Sequence, residues 1–81
     1  WVEVKLDENR YKLSARHEID YLNDTYDWDI PEGEYDTLGG FILSITEDIP
    51  EVGDMIHYPP FEIKIETMED TRIDNVLFTL K

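Results

Sequence analysis

The chain has 81 residues, 41% of them hydrophobic, and its twenty acidic against seven basic side chains give a net charge of −13. That length allows one domain, which buries only about 60–65% of the surface its unfolded form exposes. The charge excludes phosphate-led nucleic-acid binding and close contact with an anionic membrane surface, since both partners would be repelled.

Cysteine is absent, which removes disulfides, thiolate catalysis and Cys-based zinc sites. No apolar run reaches the roughly 18 residues of a transmembrane helix, and no signal peptide is visible. The chain starts at Trp1 without a methionine, in strand-like sequence. It is therefore expected to be a single domain, residues 1–81, excised from a longer chain.

Val2, Val4 and Leu6 alternate with Glu3 and Lys5, the period of a half-buried strand. Asp7 to Arg10 makes a turn, and Tyr11-Lys12-Leu13 is extended again. Ser14 is suited to cap a first helix, with Ala15, Ile19 and Leu22 on one face and fraying at Asn23-Asp24. The acidic stretch from residue 24 to 36, punctuated by Pro31 and Gly33, is a connection whose Tyr26, Trp28 and Ile30 lie over the core.

A second helix follows, capped by Asp36 or Thr37, with Leu38, Phe41, Ile42 and Ile45 at helical spacing. Pro50 and Gly53 end the helical half. Three strands remain. Met55–Tyr58 and the Phe61, Ile63, Ile65 run are separated by Pro59-Pro60; a turn over "TMEDT" leads to Ile73–Leu80, with Val76, Phe78 and Leu80 on one face. The order β-β-α-α-β-β-β predicts an α+β fold, two helices on a largely antiparallel sheet of about five strands.

Gly39 and Gly40 stand inside the second helix, where each costs roughly 1 kcal/mol relative to alanine. Two explanations compete: a phosphate cradle at the helix N-terminus, or close approach of another segment. Neither G-x-G-x-x-G nor a Gly-rich loop ending in Lys-Ser/Thr is present. Glu32, Glu34 and Asp36 precede the helix, and no Lys or Arg falls between Arg16 and Lys64. Packing is the favoured reading.

The histidines are His17 and His57 and the serines Ser14 and Ser44, with no G-x-S-x-G elbow around either serine. Spacing alone does not make a catalytic triad of them, and no catalytic residue is assigned. An EF-hand register starting at Asp27 fails, because Pro31 stands at position five and Glu32 where the glycine is needed. A looser Mg²⁺ or Ca²⁺ site would draw on Asp27, Asp29 or Glu32. Trp1 and Trp28 are candidates for partner contact, with core packing as the alternative for Trp28.

"EIDYLND", "EGEYDTLGGFIL" and "IPEVGD", followed by three short strands, together resemble the transporter-associated domain of the CorC/HlyC family, from about Tyr11 to Leu80. The resemblance implies the C-terminal cytoplasmic module of a hemolysin-like bacterial membrane protein associated with magnesium and cobalt efflux. Neighbouring CBS and transmembrane domains would be its partners, and any homodimer would form through the parent protein. The family's fold likeness to flavin oxidases is the basis for proposing FAD there, although the glycines here lack basic company. Two functions follow. The first is a non-enzymatic regulatory or interaction module at the cytoplasmic face of the membrane; the second is a binding domain for FAD, an adenine nucleotide or a divalent cation.

Overall fold

The structure, a computed structural model, describes residues 1–80. Its elements are β1 (Glu3–Lys5), β2 (Arg10–Ser14), α1 (Ile19–Tyr26), α2 (Leu38–Thr46), β3 (Met55–Tyr58), β4 (Phe61–Glu69) and β5 (Arg72–Leu80). The strands form one sheet in the order β1-β2-β5-β4-β3, every pair antiparallel. Both helices lie in the connection between β2 and β3, so the α+β class and the element order stand as expected.

Registers explain where the core sits. Tyr11, Phe78, Ile63 and Ile56 are successive cross-strand partners, and Leu13, Val76 and Ile65 form the next row. Side chains alternate across a strand, so these rows share one face. They are buried together with Ile19 and Leu22 of α1 and Leu38, Phe41 and Ile42 of α2. Each fully buried aliphatic or phenyl group there contributes about 1.5–3 kcal/mol. Tyr26 and Trp28 stack at one edge with ring centroids 4.6 Å apart, and Trp28 in turn stacks on Phe78 at 4.8 Å. Trp28 is thus a core-packing residue.

Several local expectations are corrected. Ser14 ends β2 instead of capping a helix; its Oγ accepts the Arg16 amide at 3.1 Å. α1 begins only at Ile19, because the Ala15 amide is drawn to the Asp74 carbonyl and the Ala15 carbonyl takes the Gly39 amide. α1 also runs through Asn23-Asp24 to Tyr26, whose hydroxyl is held by Glu3. At the other end of the chain, Thr67–Glu69 stay in β4, and the reversal narrows to Asp70-Thr71, with Asp70 at φ 56°.

A further correction concerns β1. The strand exists, but Glu3 and Lys5 rather than Val4 face the helices, since they pair with Leu13 and Tyr11. Val4 is 48% exposed on the opposite face. An edge strand paired on one side has no second layer to bury that face, and Glu3 finds tyrosine partners on the helix side instead.

Candidate functional site

The N-terminus of α2 is where ligand and packing readings compete. Residues 15–19 run alongside residues 36–39: the Ile19 amide donates to Asp36 O, the Leu38 amide to His17 O and the Gly39 amide to Ala15 O, each at 2.9 Å. Thr37 caps the helix, its Oγ1 accepting the Gly40 amide at 3.3 Å. The donors an anion would need are therefore already engaged.

Both glycines are crowded by what lies against them. A methyl group built on Gly39 would stand 3.2 Å from Ala15 Cβ and 3.3 Å from its carbonyl oxygen. One built on Gly40 would stand 2.8 Å from Tyr35 Cβ, too close for any carbon pair. Packing explains both positions.

Beside this contact lies a hollow of 250 Å³ lined by Glu18, Ile19, Asp20, Glu32, Gly33, Tyr35 and Asp36. Four of its seven lining residues are carboxylates and none is basic. A hydrogen bond from Asp20 and its negative charge hold the Glu32 carboxyl above its ordinary range, with Asp24 adding to the effect. Such a field attracts ammonium groups or a hydrated divalent cation. The sequence grouping Asp27, Asp29 and Glu32 is not what forms: Asp27 sits at the end of α1 in left-handed backbone, and Glu32 faces Asp20. Among the described residues, no three Asp, Glu or His side chains converge as metal ligands.

The remaining candidates are engaged structurally. His17 is buried; its Nε2 donates to the Val2 carbonyl at 2.9 Å, and Tyr21 stacks on the ring with centroids 5.5 Å apart. His57 is exposed, with Nδ1 3.0 Å from Glu62. Ser44 Oγ donates to the Phe41 carbonyl at 2.6 Å inside α2. Glu3 accepts the hydroxyls of both Tyr21 and Tyr26, which pull its carboxyl below the ordinary range, Tyr26 most. That Glu3 cluster carries no sequence signal, because its members come from β1 and α1, joined only by the fold.

Residues 4–81 match the family described as the transporter-associated domain, CorC_HlyC. The chain belongs to that family. Among curated relatives, the polyamine export protein of Escherichia coli K12 is 30% identical over 78 residues. The alignment takes in 94% of this chain and 17% of that protein. The magnesium and cobalt efflux protein CorC of Buchnera aphidicola (Schizaphis graminum) is 25% identical over 76 residues, which are 94% of this chain and 26% of the relative. The CorC_HlyC chain here thus spans about a sixth to a quarter of the length of these relatives.

Solved structures carry the same fold. A conserved protein of unknown function from Haemophilus influenzae superposes with a TM-score of 0.91 at 18% identity, covering 100% of both chains. The CorC_HlyC domain of a Xylella fastidiosa hemolysin, solved with Mg²⁺ and Mn²⁺, gives 0.83 at 23% identity, covering 100% of this chain and 99% of that one.

Proposed function

We propose that the chain is a non-enzymatic regulatory and interaction module at the cytoplasmic face of a larger membrane-transport protein of the magnesium/cobalt-efflux type. Its immediate partners are the neighbouring CBS and transmembrane domains of the same polypeptide. The observation that carries this reading is the family match over residues 4–81, in relatives four to six times longer that export cations. The engagement of both serines and of His17 by nearby backbone supports a structural over a catalytic use of these groups.

The test is deletion of this domain from the full-length protein, followed by transport measurements in vesicles with Mg²⁺, Co²⁺ and a polyamine. Transport should persist with altered dependence on cation concentration. Unchanged transport with an unchanged cation response would reject a regulatory role.

A second reading rests on the acidic hollow. Four carboxylates around Ile19, with Glu32 and Asp20 in direct contact, suit a polyammonium or hydrated divalent cation better than FAD or AMP, whose phosphates they would repel. Thermal-shift titrations with Mg²⁺, Co²⁺, spermidine, AMP and FAD separate the two readings. A cation at 100 times its Kd would stabilise the fold by about 2.7 kcal/mol. A flat response to every cation removes this second reading and leaves the first intact.

A further inference from the structure

Trp1, Glu3, His17, Glu18 and Tyr21 line a second pocket, of 460 Å³, where the first strand meets the start of α1. Three rings form its walls. Trp1 meets His17 edge-on, with centroids 5.6 Å apart and planes at 86°, while Tyr21 lies nearly parallel to His17, at 17°. Trp1 and Tyr21 therefore stand close to perpendicular about the imidazole. Both keep ring surface open, Trp1 at 74% exposure and Tyr21 at 41%. Open aromatic faces attract ammonium groups.

One atom in this pocket lacks a partner. His17 is only 7% exposed, and its Nε2 carries the proton donated to the Val2 carbonyl. In the neutral ring Nδ1 is then a lone-pair acceptor. Among the described residues no donor reaches Nδ1, and no fully enclosed side-chain nitrogen or oxygen is left unsatisfied. Nδ1 is thus open to the pocket that His17 lines, and only a donor from solvent can satisfy it.

The charges lining the pocket have one sign. Glu3 and Glu18 line it and no Lys or Arg does. The Tyr26 and Tyr21 hydroxyls hold the Glu3 carboxyl below its ordinary range, so it stays ionised; the Trp1 amino group acts on it less than His17 does. Phosphates are repelled by such a site. Mg²⁺ demands octahedral oxygen ligation and sheds water reluctantly, and Glu3, His17 and Glu18 do not converge as metal ligands. An alkylammonium matches every wall, its N–H groups to the carboxylates and Nδ1 and its methylenes to the rings. Glu18 also lines the acidic hollow that holds Asp20, Glu32 and Asp36. Two cation-attracting sites therefore share one wall, and a ligand with an ammonium at each end gains from occupying both.

We propose that the ring pocket and the acidic hollow together bind an aliphatic polyamine. One terminal ammonium sits at His17 Nδ1 among Trp1, Tyr21 and Glu18, and a second sits in the hollow. This inference rests on the cation reading of the hollow and names its ligand class.

The test is an NMR titration of the 81-residue chain, acetylated at Trp1 to remove the competing amino group, with spermidine, butylammonium or Mg²⁺ at constant ionic strength. Spermidine should move the His17 Nδ1 and Trp1 indole signals and leave His57 unmoved. Butylammonium should need about tenfold higher concentration, and Mg²⁺ should leave His17 unmoved. Trp1→Leu, which changes no charge, should weaken spermidine binding about fivefold. Glu18→Gln should weaken it as much, whereas Glu51→Gln, which removes the same charge outside both sites, should leave it within about twofold. Far-UV circular dichroism checks folding, and Glu18→Gln decides if Trp1→Leu fails to fold. A His17 signal indifferent to spermidine, an equal movement with Mg²⁺, or equal effects of Glu18→Gln and Glu51→Gln would overturn the proposal. Stabilisation by Mg²⁺ or spermidine with His17 unmoved would overturn it while leaving the cation reading of the hollow standing.

Discussion

The Gly39 amide donates to the Ala15 carbonyl at 2.9 Å, and a methyl group on Gly39 would crowd Ala15 at 3.2–3.3 Å. This contact ties the end of β2 to the start of α2. Ala15 is itself pinned, because its amide donates to Asp74 O at 2.8 Å. It has little freedom to retreat.

Replacing either glycine with alanine should therefore destabilise the fold, against the usual gain from alanine in a helix. Gly39→Ala is expected to cost about 1 kcal/mol and Gly40→Ala about 2–3 kcal/mol, since the latter meets Tyr35 Cβ at 2.8 Å. Urea denaturation of the three proteins checks the order. Equal or higher stability of both variants would show that the neighbours relax freely.

Asn23 closes the acidic connection. Its amide nitrogen donates to Ile30 O at 3.0 Å and its carbonyl accepts the Ile30 amide at 2.9 Å, while Ile30 is buried. Asn23→Ala leaves a buried donor and acceptor without partners, at a cost of about 2–4 kcal/mol. Asn23→Asp keeps the acceptor alone and should fall between alanine and wild type. Hydrogen exchange should show the Ile30 amide losing protection in Asn23→Ala; unchanged protection there would contradict the role.

Glu3 gives the acid limb of the stability curve a specific cause. The Tyr26 and Tyr21 hydroxyls lower its folded pKa below the value of 4.5 that it has unfolded. Its contribution is present above 4.5 and is lost as pH falls through the lowered folded value. Glu3→Gln should therefore cost about 1 kcal/mol near neutrality, allowing for solvent screening, and should flatten the melting temperature below pH 4.5. Parallel curves for wild type and variant from pH 3 to 7 would assign the acid limb elsewhere.

Glu32 has the opposite sign. Asp20 raises its folded pKa above 4.5, so the folded state binds this proton more tightly than the unfolded one. The repulsion is present at neutral pH and is relieved as pH falls through the raised value towards 4.5. Glu32→Gln or Asp20→Asn should raise the melting temperature at pH 7 and narrow the gain on mild acidification. The same substitutions should remove any stabilisation by Mg²⁺ or spermidine. A lower melting temperature in both variants would mean that these carboxylates are held by attraction.

Much of the architecture was legible in the residues alone. The alternation of Phe61, Ile63 and Ile65, the helical spacing of Leu38, Phe41, Ile42 and Ile45, and Thr37 as a cap are local signals, and the fold keeps all of them. The acidic field and the packing role of the glycines also followed from composition and from the absence of bases nearby. What the tertiary structure alone decided was where long-range partners outbid local preference. Asp74 and Gly39 drew residues 15–18 out of the helix that Ser14 was suited to start, and Tyr26 and Glu3 extended that helix past its fraying point. Register with β2 turned Val4 outward, and the loop brought Glu32 to Asp20 in place of Asp27 and Asp29. The physical reason is common to these cases. Periodicity and capping depend on neighbours within a few residues, whereas a backbone donor or a carboxylate takes whichever partner the closed fold presents, however distant in sequence.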